Sequence, residues 1–397
     1  MKIYTDFGDI QMTKHFQDDT DHLQYPPLSK QRQLKRRKQN RTIKRRPPKA
    51  SDTTVEFIGS GSTRLNLALS GKGIKGGWAR ARIGNLVGDK SSGKTAAALE
   101  AAFWFYKNIQ NVKSKIFSPT TKFSIVYNNA EGVMDFDIQS MYGNQFYKKV
   151  EWIRSPNIEH FGRDYSRRVD KLEKGHSLLY ILDTLDFLKS YKSIERFKES
   201  IDKDEDTKGS YDVEKQKYLS GFFAATSEYL DKNKVDATLL IVSQVRAIID
   251  ARSFGKKEMR TGGKAFGHAI HQEAWFREIQ KMRSTKKGEK RVYGIKVGCR
   301  VEKNKCAKPF REAEFQILYD YGIDDLNSMI DYLWENKPIK FDGQTFKNGA
   351  TSAVRKPFIK FIEDNHYEHL IAKKVEDKWN SVEEAFAEEV KARAKRW

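Results

Sequence analysis

Residues 88–95 constrain the fold of this chain more than any other part of its sequence. They read GDKSSGKT and match the phosphate-binding pattern G-x-x-x-x-G-K-[ST] at every fixed position. The short apolar run 82–87 precedes them, and the segment 95–106, rich in strong helix formers, follows them. In such a strand–loop–helix, backbone N–H groups point at phosphate oxygens, and the helix N-terminus adds partial positive charge. The sequence therefore predicts a nucleoside triphosphate site.

Two side chains of this loop and one distant carboxylate have separate expected roles. Lys94 would contact the β- and γ-phosphates, and the Thr95 hydroxyl would hold Mg²⁺. The nearly continuous apolar run 177–184 is typical of a central parallel strand, and its Asp183 suits the second magnesium-linked carboxylate of such sites. The residues that we expect to surround the phosphates are Gly88, Asp89, Lys90, Ser91, Ser92, Gly93, Lys94 and Thr95.

The charge of the chain indicates the kind of partner it binds. Its 397 residues carry a formal net charge of +21, which for a protein without a membrane segment points to a polyanion, most often nucleic acid. No apolar run approaches the roughly 20 residues that a membrane span needs, so we expect no membrane partner. The 2 cysteines exclude a disulfide framework and favour a reducing, cytoplasmic location.

The chain divides into three expected parts. Residues 1–50 include a dense Lys and Arg run, QRQLKRRKQNRTIKRRPPK, and are typical of a disordered basic arm, either a clamp on nucleic-acid phosphates or a solubilising tail. Residues 51–325 alternate strands and helices and predict a doubly wound, mostly parallel α/β sheet with a P-loop ATPase core. Residues 326–397 predict a small α-rich C-terminal domain.

Several local patterns add detail to this division. The polar, charged segment 191–215 predicts a surface loop. Strands are expected at 274–281 and 293–302. Ser381 followed by Glu384 matches a capping box and predicts that a last helix begins there.

Five segments, in order along residues 57–325, together resemble the RecA-type homologous-recombination ATPases of bacteria and their phages. They are GSGSTRLNLALSGKGIKGGWARARIGNLVGDKSSGKT, NNAEG, LLYILDT, LLIVSQVR with the following SFGKKEMRTGGKA, and VEKNKCAKPFREAEFQILYDYGI. The resemblance implies a RecA-like core that binds ATP and Mg²⁺. It also implies that the catalytic carboxylate is Glu131, that the magnesium carboxylate is Asp183, and that Gln244 senses the γ-phosphate. Lys303 and Lys305 would reach the ATP of a neighbouring subunit.

The same resemblance implies two DNA-binding loops and an activity. The first loop would lie near Lys208 and Gly209, and the second would contribute Arg246, Arg252, Phe254, Lys256, Lys257, Arg260, Thr261, Gly262 and Gly263. The expected protein is a DNA-dependent ATPase that forms helical filaments on single-stranded DNA. It would pair that strand with homologous duplex and exchange strands in recombination and repair. Two alternatives stay open: a ring-forming DNA motor or helicase with the same core, and a DNA-binding regulatory ATPase without strand exchange.

Overall fold

The computed structural model describes residues 55–134, 136–203, 211–233, 235–247, 258–260, 263–334, 339–341, 344–346 and 352–391. From residue 54 onward, the described residues form one compact unit. The basic segment 1–50 lies outside the described residues, so the arm and the three-part division of the chain stay predictions.

Fourteen strands are described, most of them in one large sheet. They are β1 (Phe57–Ile58), β2 (Trp78–Ala79), β3 (Ile83–Gly88), β4 (Lys122–Asn129), β5 (Val150–Ile153), β6 (His176–Asp183), β7 (Ala237–Ala247), β8 (Glu258–Arg260), β9 (Gln272–Lys286), β10 (Glu289–Asn304), β11 (Glu312–Leu318), β12 (Gly322–Asp324), β13 (Ile339–Phe341) and β14 (Gln344–Phe346).

In the described part of the chain, eleven α-helices connect and cover these strands. They are α1 (Thr63–Ser70), α2 (Lys94–Asn108), α3 (Ile138–Tyr142), α4 (Asn144–Lys149), α5 (Ile158–Asp170), α6 (Tyr191–Asp202), α7 (Tyr211–Asn233), α8 (Gly263–Ala269), α9 (Asp325–Leu333), α10 (Ser352–Asp364) and α11 (Glu368–Lys391). Ser62 shows how the sequence starts such a helix, because its hydroxyl accepts a hydrogen bond from Leu65 N and caps α1.

The large sheet has the order β12-β11-β10-β9-β3-β7-β6-β4-β5, and β8 pairs with β7. From β9 to β5 every neighbouring pair is parallel, whereas β10, β11 and β12 continue the sheet antiparallel. The carboxyl ends of β3, β4, β6 and β7 therefore lie along one edge. This edge is where open α/β sheets bind ligands.

Apolar side chains cover both faces of the sheet because successive residues of a strand point to opposite sides. On β6, Leu179 and Ile181 join a cluster with α1, α2 and the C-terminal helices, whereas Leu178, Tyr180 and Leu182 join a second cluster with α5, α7 and α8. Helices on both faces of a mostly parallel sheet confirm the doubly wound α/β fold. Among the described helices, none is both long and apolar enough to cross a bilayer.

Two sequence-based expectations about elements were wrong, and a third was confirmed with longer strands than expected. The segment 191–215 is not a loop, because it forms α6 and the start of α7 on either side of residues outside the description. Ser381 does not begin a helix, because α11 already starts at Glu368 and Ala, Glu and Lys keep it helical past Ser381. The expected strands at 274–281 and 293–302 extend much further and form one long hairpin, β9–β10, in which Lys287 and Gly288 both adopt positive φ at the turn.

Candidate nucleotide site at the carboxyl edge of the sheet

The predicted phosphate-binding loop joins β3 to α2 at the carboxyl edge. Gly93 has φ +89°, and a Cβ there would lie 2.5 Å from Ile317 Cδ1 on β11. A Cβ on Gly88 would lie 2.5 Å from the Phe276 carbonyl oxygen on β9. Gly93 needs glycine because its backbone is left-handed and Ile317 leaves no room for a Cβ, and Gly88 needs it because the Phe276 carbonyl oxygen leaves none.

Lys94 lies at the start of α2 and folds back over this loop. Its Nζ donates to the Asp89 carbonyl oxygen and, at 3.3 Å, to Ser92 Oγ. Burial lowers the pKa of the Lys94 ammonium, while Asp183 and Asp89 oppose that shift. The ammonium is thus positioned beside the loop backbone, where it can exchange these neutral acceptors for phosphate oxygens.

Asp183, at the end of β6, has one satisfied carboxylate oxygen and one unsatisfied oxygen. Its Oδ2 accepts from Thr95 Oγ1 at 2.8 Å and from Tyr127 OH at 2.7 Å. Its Oδ1 is buried and has no hydrogen-bond partner among the described residues. Burial raises the pKa of Asp183, opposed by the hydrogen bonds from Tyr127 and Thr95.

This donor set fits Mg²⁺. The unsatisfied Asp183 oxygen and the Thr95 hydroxyl are hard oxygen ligands, and Mg²⁺ in nucleotide sites takes one or two such groups together with phosphate oxygens and water. Among the residues that the structure describes, no group of three or more His, Cys, Asp or Glu side chains could hold a metal ion by itself.

Glu131 follows the end of β4 and receives two hydrogen bonds on one oxygen. Thr184 Oγ1 donates to Glu131 Oε1 at 3.2 Å, and Gln244 Nε2 donates to the same oxygen at 3.1 Å. Gln244 lies on β7 beside Gly88, and its backbone N–H donates to Asp186 Oδ2 at 2.7 Å. The structure therefore brings together Lys94, Thr95, Asp183, Glu131 and Gln244 from the ends of four neighbouring strands, β3, β7, β6 and β4.

A partly exposed carboxylate in this position can orient and deprotonate a water molecule. Glu131 Oε1 accepts from Thr184 and Gln244. Two fixed donors hold the side chain in one orientation, which is what positioning catalysis requires.

Lys303 and Lys305 lie elsewhere, near the opposite edge of the parallel strands. Lys303 pairs with Glu273 on β9, which in turn pairs with Asn85, near the start of β3. Lys303 Nζ donates to the carbonyl oxygens of Gly267 and, at 3.4 Å, of His268, and Lys305 Nζ donates to His268 O at 2.6 Å. Both lysines thus point to one place, the carboxyl end of α8, and within one chain they do not join the Glu131 group.

Most of the expected DNA-binding residues lie outside the described residues. These are Lys208, Gly209, Arg252, Phe254, Lys256, Lys257, Thr261 and Gly262. Arg246 is placed on β7, opposite Met259 of β8, and its side chain is outside the description. Gly263 begins α8 with φ +68°. Arg260 forms an ion pair with Glu273 and lies 4.9 Å from the centroid of the Phe266 ring, so its guanidinium already has partners.

Three residues of this site were missed by sequence reasoning. Tyr127 resembles an ordinary core residue of an apolar strand, and nothing in its neighbours indicates that its hydroxyl reaches Asp183. Thr184 and Asp186 follow Asp183 by one and three residues, directly after the same strand. Their position there could have identified them as residues of the site.

The fold and the site together define the class of P-loop α/β proteins: a mostly parallel sheet with a phosphate-binding loop, a hydroxyl–carboxylate pair and a second carboxylate at its carboxyl edge. Comparison with known proteins narrows this class. The family model for the RecA N-terminal domain matches residues 215–324.

Individual relatives extend this match over most of the chain. It is 28% identical over 329 residues to "Protein RecA" of Sulfurimonas denitrificans, covering 81% of this chain and 84% of that protein. It is 28% identical over 331 residues to "Protein RecA" of Rippkaea orientalis, covering 80% of each. A shorter match to "Protein RecA" of Wolinella succinogenes is 35% identical over 100 residues, 25% of this chain and 27% of that protein. The chain is thus similar to RecA proteins over about four-fifths of its length, at 28% identity.

Proposed function

We propose that this protein is an ATP-dependent DNA recombinase that forms filaments on single-stranded DNA and catalyses homologous pairing and strand exchange with duplex DNA. The observation that carries the proposal is the convergence of Lys94, Thr95, Asp183, Glu131 and Gln244 at one edge of the sheet. Similarity to proteins named "Protein RecA" over about four-fifths of the chain supports it.

The proposed reaction is hydrolysis of ATP by in-line attack of water on the γ-phosphate. Glu131 orients the water and takes its proton, while Lys94 neutralises charge on the phosphate oxygens. Gln244, which already donates to Glu131, lies at the end of β7 shortly before the expected second DNA loop. Mg²⁺, held by Thr95 and Asp183, would supply further neutralisation of the phosphate charge.

We infer that the site is completed by a neighbouring subunit. Among the described cations, Lys94 lies at the phosphate-binding loop and the Arg154 guanidinium lies against Gly132, next to Glu131, whereas the paired ammonium groups of Lys303 and Lys305 lie at the other edge. Two subunits arranged head to tail would bring the lysines of one against the triphosphate of the other. Hydrolysis would then depend on assembly.

DNA binding, a cytoplasmic location and the absence of a membrane partner belong to the same proposal. The net charge of +21 supports attachment to phosphates without sequence preference, which a recombinase requires because any strand can be its substrate.

The proposal is tested with oligonucleotides and electron microscopy. The protein, single-stranded DNA and a slowly hydrolysed ATP analogue are expected to give helical filaments, and ATP with homologous duplex is expected to give exchanged strands. Heterologous duplex is the control. Closed rings would indicate the motor, and filaments that never exchange strands would indicate the regulatory ATPase.

A further inference from the structure

Helix α7 carries a buried lysine within its apolar stripe. The side chain of Lys215 is only 2% exposed. Leu219, Phe222 and Phe223 follow it by four, seven and eight residues, and they are buried in the apolar cluster on the same face of the sheet. This spacing is that of the core-facing side of a helix. Lysine is almost never fully buried unless its ammonium has partners, so the contacts of this one indicate what it does.

The Lys215 ammonium binds two consecutive backbone carbonyl oxygens. Its Nζ donates to Leu185 O at 2.7 Å and, at 3.5 Å, to Asp186 O. Both carbonyls belong to the connection that follows β6, which ends at Asp183. Buried carbonyl oxygens require a hydrogen-bond donor. Lys215 supplies that donor to this connection from a different helix.

Leu185 is held at both of its backbone polar groups. Its N–H donates to Val242 O of β7 at 2.9 Å, and its carbonyl oxygen accepts from Lys215. Its side chain is fully buried in the same apolar cluster. The connection after β6 is therefore fixed between β7 on one side and α7 on the other.

The residues on either side of Leu185 hold the candidate catalytic groups. Thr184 Oγ1 donates to Glu131 Oε1 at 3.2 Å. Asp186 Oδ2 accepts from the backbone N–H of Gln244 at 2.7 Å, and Gln244 Nε2 donates to the same Glu131 oxygen at 3.1 Å. Both hydrogen bonds to the Glu131 carboxylate thus depend on the backbone around Leu185, one directly and one through Gln244.

Loss of the ammonium would disturb this arrangement. A buried carbonyl oxygen left without its donor is unfavourable, so the connection after β6 would turn to find another partner. Because Thr184 and Asp186 flank Leu185, such a turn would move the groups that orient Glu131. A displacement of about 1 Å in a positioned group can lower a rate by about 10²-fold.

We propose that Lys215 is a positioning residue for ATP hydrolysis, which holds the connection after β6 so that Thr184 and Gln244 stay on the Glu131 carboxylate. It acts on the water-activating group through these residues. It therefore sets the rate of hydrolysis and leaves ATP binding, which the phosphate-binding loop carries, unchanged. This inference rests on the proposed function, because it names a residue on which the proposed role of Glu131 depends.

The test removes the ammonium and keeps an unbranched apolar side chain. Lys215→Met is compared with Lys378→Met, because Lys378 Nζ of α11 also donates to a backbone carbonyl oxygen, that of Tyr332, at 2.6 Å. Steady-state phosphate release with single-stranded DNA gives kcat, and equilibrium binding of a fluorescent ATP analogue gives the affinity. Lys215→Met is expected to lower kcat at least about tenfold with unchanged affinity, and Lys378→Met is expected to change neither.

A second measurement separates positioning from a general loss of structure. Single-turnover hydrolysis is measured for Lys215→Met in the wild-type and in the Glu131→Gln background. If Lys215 acts through Glu131, the substitution should lower the rate much less in the Glu131→Gln background, because residues that act as a unit are not additive. The same fold loss in both backgrounds would overturn the proposal.

The remaining outcomes are also decisive. Unchanged kcat of Lys215→Met would overturn the role of Lys215 alone, and so would a loss of affinity for the ATP analogue that accounts for the lower rate. If Lys215→Met does not fold, Lys215→Leu gives the same comparison, and failure of both to fold would make Lys215 a residue of the fold and overturn the proposal. Wild-type protein that hydrolyses no ATP would overturn the proposed function as well.

Discussion

At the scale of single residues, the candidate site separates phosphate binding from water activation. Lys94 contacts the loop backbone, whereas Glu131 is held by Thr184 and Gln244 and touches no group of the loop in the described contacts. Removing the two side chains should therefore have different consequences for nucleotide binding and for hydrolysis.

Glu131→Gln should bind ATP with nearly unchanged affinity and hydrolyse it at least about 10²-fold more slowly, because a positioned general base contributes about that much. Lys94→Ala should lose ATP binding. Equilibrium binding of a fluorescent ATP analogue and steady-state phosphate release measure the two effects. If Glu131→Gln kept most of the wild-type rate, Glu131 would not be the base.

Glu100 of α2 is a buried carboxyl group away from the phosphates. Its Oε1 accepts from Tyr142 OH and from Ile323 N, both at 2.9 Å. Burial raises the pKa of Glu100 to about 7, opposed by these hydrogen bonds. The folded state thus keeps a proton that the unfolded chain releases near its ordinary pKa of 4.5, so stability falls as the pH rises from about 4.5 to about 7.

Glu100→Gln should remove this loss, because the amide is neutral and its oxygen can still accept both hydrogen bonds. At pH 4.5 the free energy of unfolding of this variant should be similar to that of the wild type. At pH 8 it should be higher by about 3 kcal/mol, because a shift of one pKa unit corresponds to 1.36 kcal/mol. Urea denaturation at both pH values measures the difference, with the exposed Glu389→Gln as control. If the difference in unfolding free energy between the variant and the wild type were the same at both pH values, the pKa of Glu100 would not be raised in the folded protein.

At the scale of elements, the sequence predicted the central strands because they are apolar, continuous and followed by polar residues. The loop and the carboxylates after β4 and β6 could be located for the same reason, since strand ends in parallel sheets share an edge. Tyr127 could not be recognised, because its partner lies on another strand and only the register of β4 against β6 brings them together.

Helix α6 shows why the remaining elements were harder to predict. Its charged residues resemble a solvated loop, and among the described residues its Phe197 and Ile201 side chains are exposed. The start of the last helix was mispredicted at Ser381 for a different reason, since helix formers on both sides override the local capping pattern there. Local signals fail where a longer-range context decides the outcome.

An ion pair attaches α11 to the connection between β10 and β11. Arg311 Nε and Nη2 donate to Glu383 Oε1 and Oε2 at 3.0 and 2.9 Å, and Lys308 Nζ adds a third contact at 2.8 Å. The hydrogen bond from Arg311 lowers the pKa of Glu383 to about 2. The stabilisation from the ionised Glu383 is therefore fully present at pH values above its ordinary pKa of 4.5, and it disappears as the pH falls towards 2.

Glu383→Gln should lower the free energy of unfolding at pH 7 by at most about 1 kcal/mol, because the pair is partly exposed and screened by solvent. The difference from wild type should shrink as the pH is lowered from 5 towards 2. Denaturant titrations at several pH values give this profile, and the neighbouring exposed Glu384→Gln should show no such change. An equal loss for both variants would exclude a specific role of the Arg311 contact.

At the scale of the whole molecule, the two edges of the parallel strands carry complementary halves of one proposed site. One edge holds the phosphate-binding loop, Asp183 and Glu131, and the other holds Lys303 and Lys305. Both lysines project together from the end of β10, as their alternation around Asn304 predicts, because side chains two apart on a strand share a face. Two cations held side by side are suited to share an anion, and the triphosphate of a neighbouring subunit is the anion that we propose.

Mixing two inactive variants tests this account most directly. Lys303→Ala with Lys305→Ala keeps its own Glu131 site and loses the cations, while Glu131→Gln keeps the cations and loses the base. Each should lack DNA-stimulated ATPase alone. Mixed assemblies on single-stranded DNA should regain it wherever an intact Glu131 site meets a neighbour with intact lysines, with a maximum near equal proportions. Co-assembly without any recovery of ATPase, at every mixing ratio, would contradict a site shared between subunits.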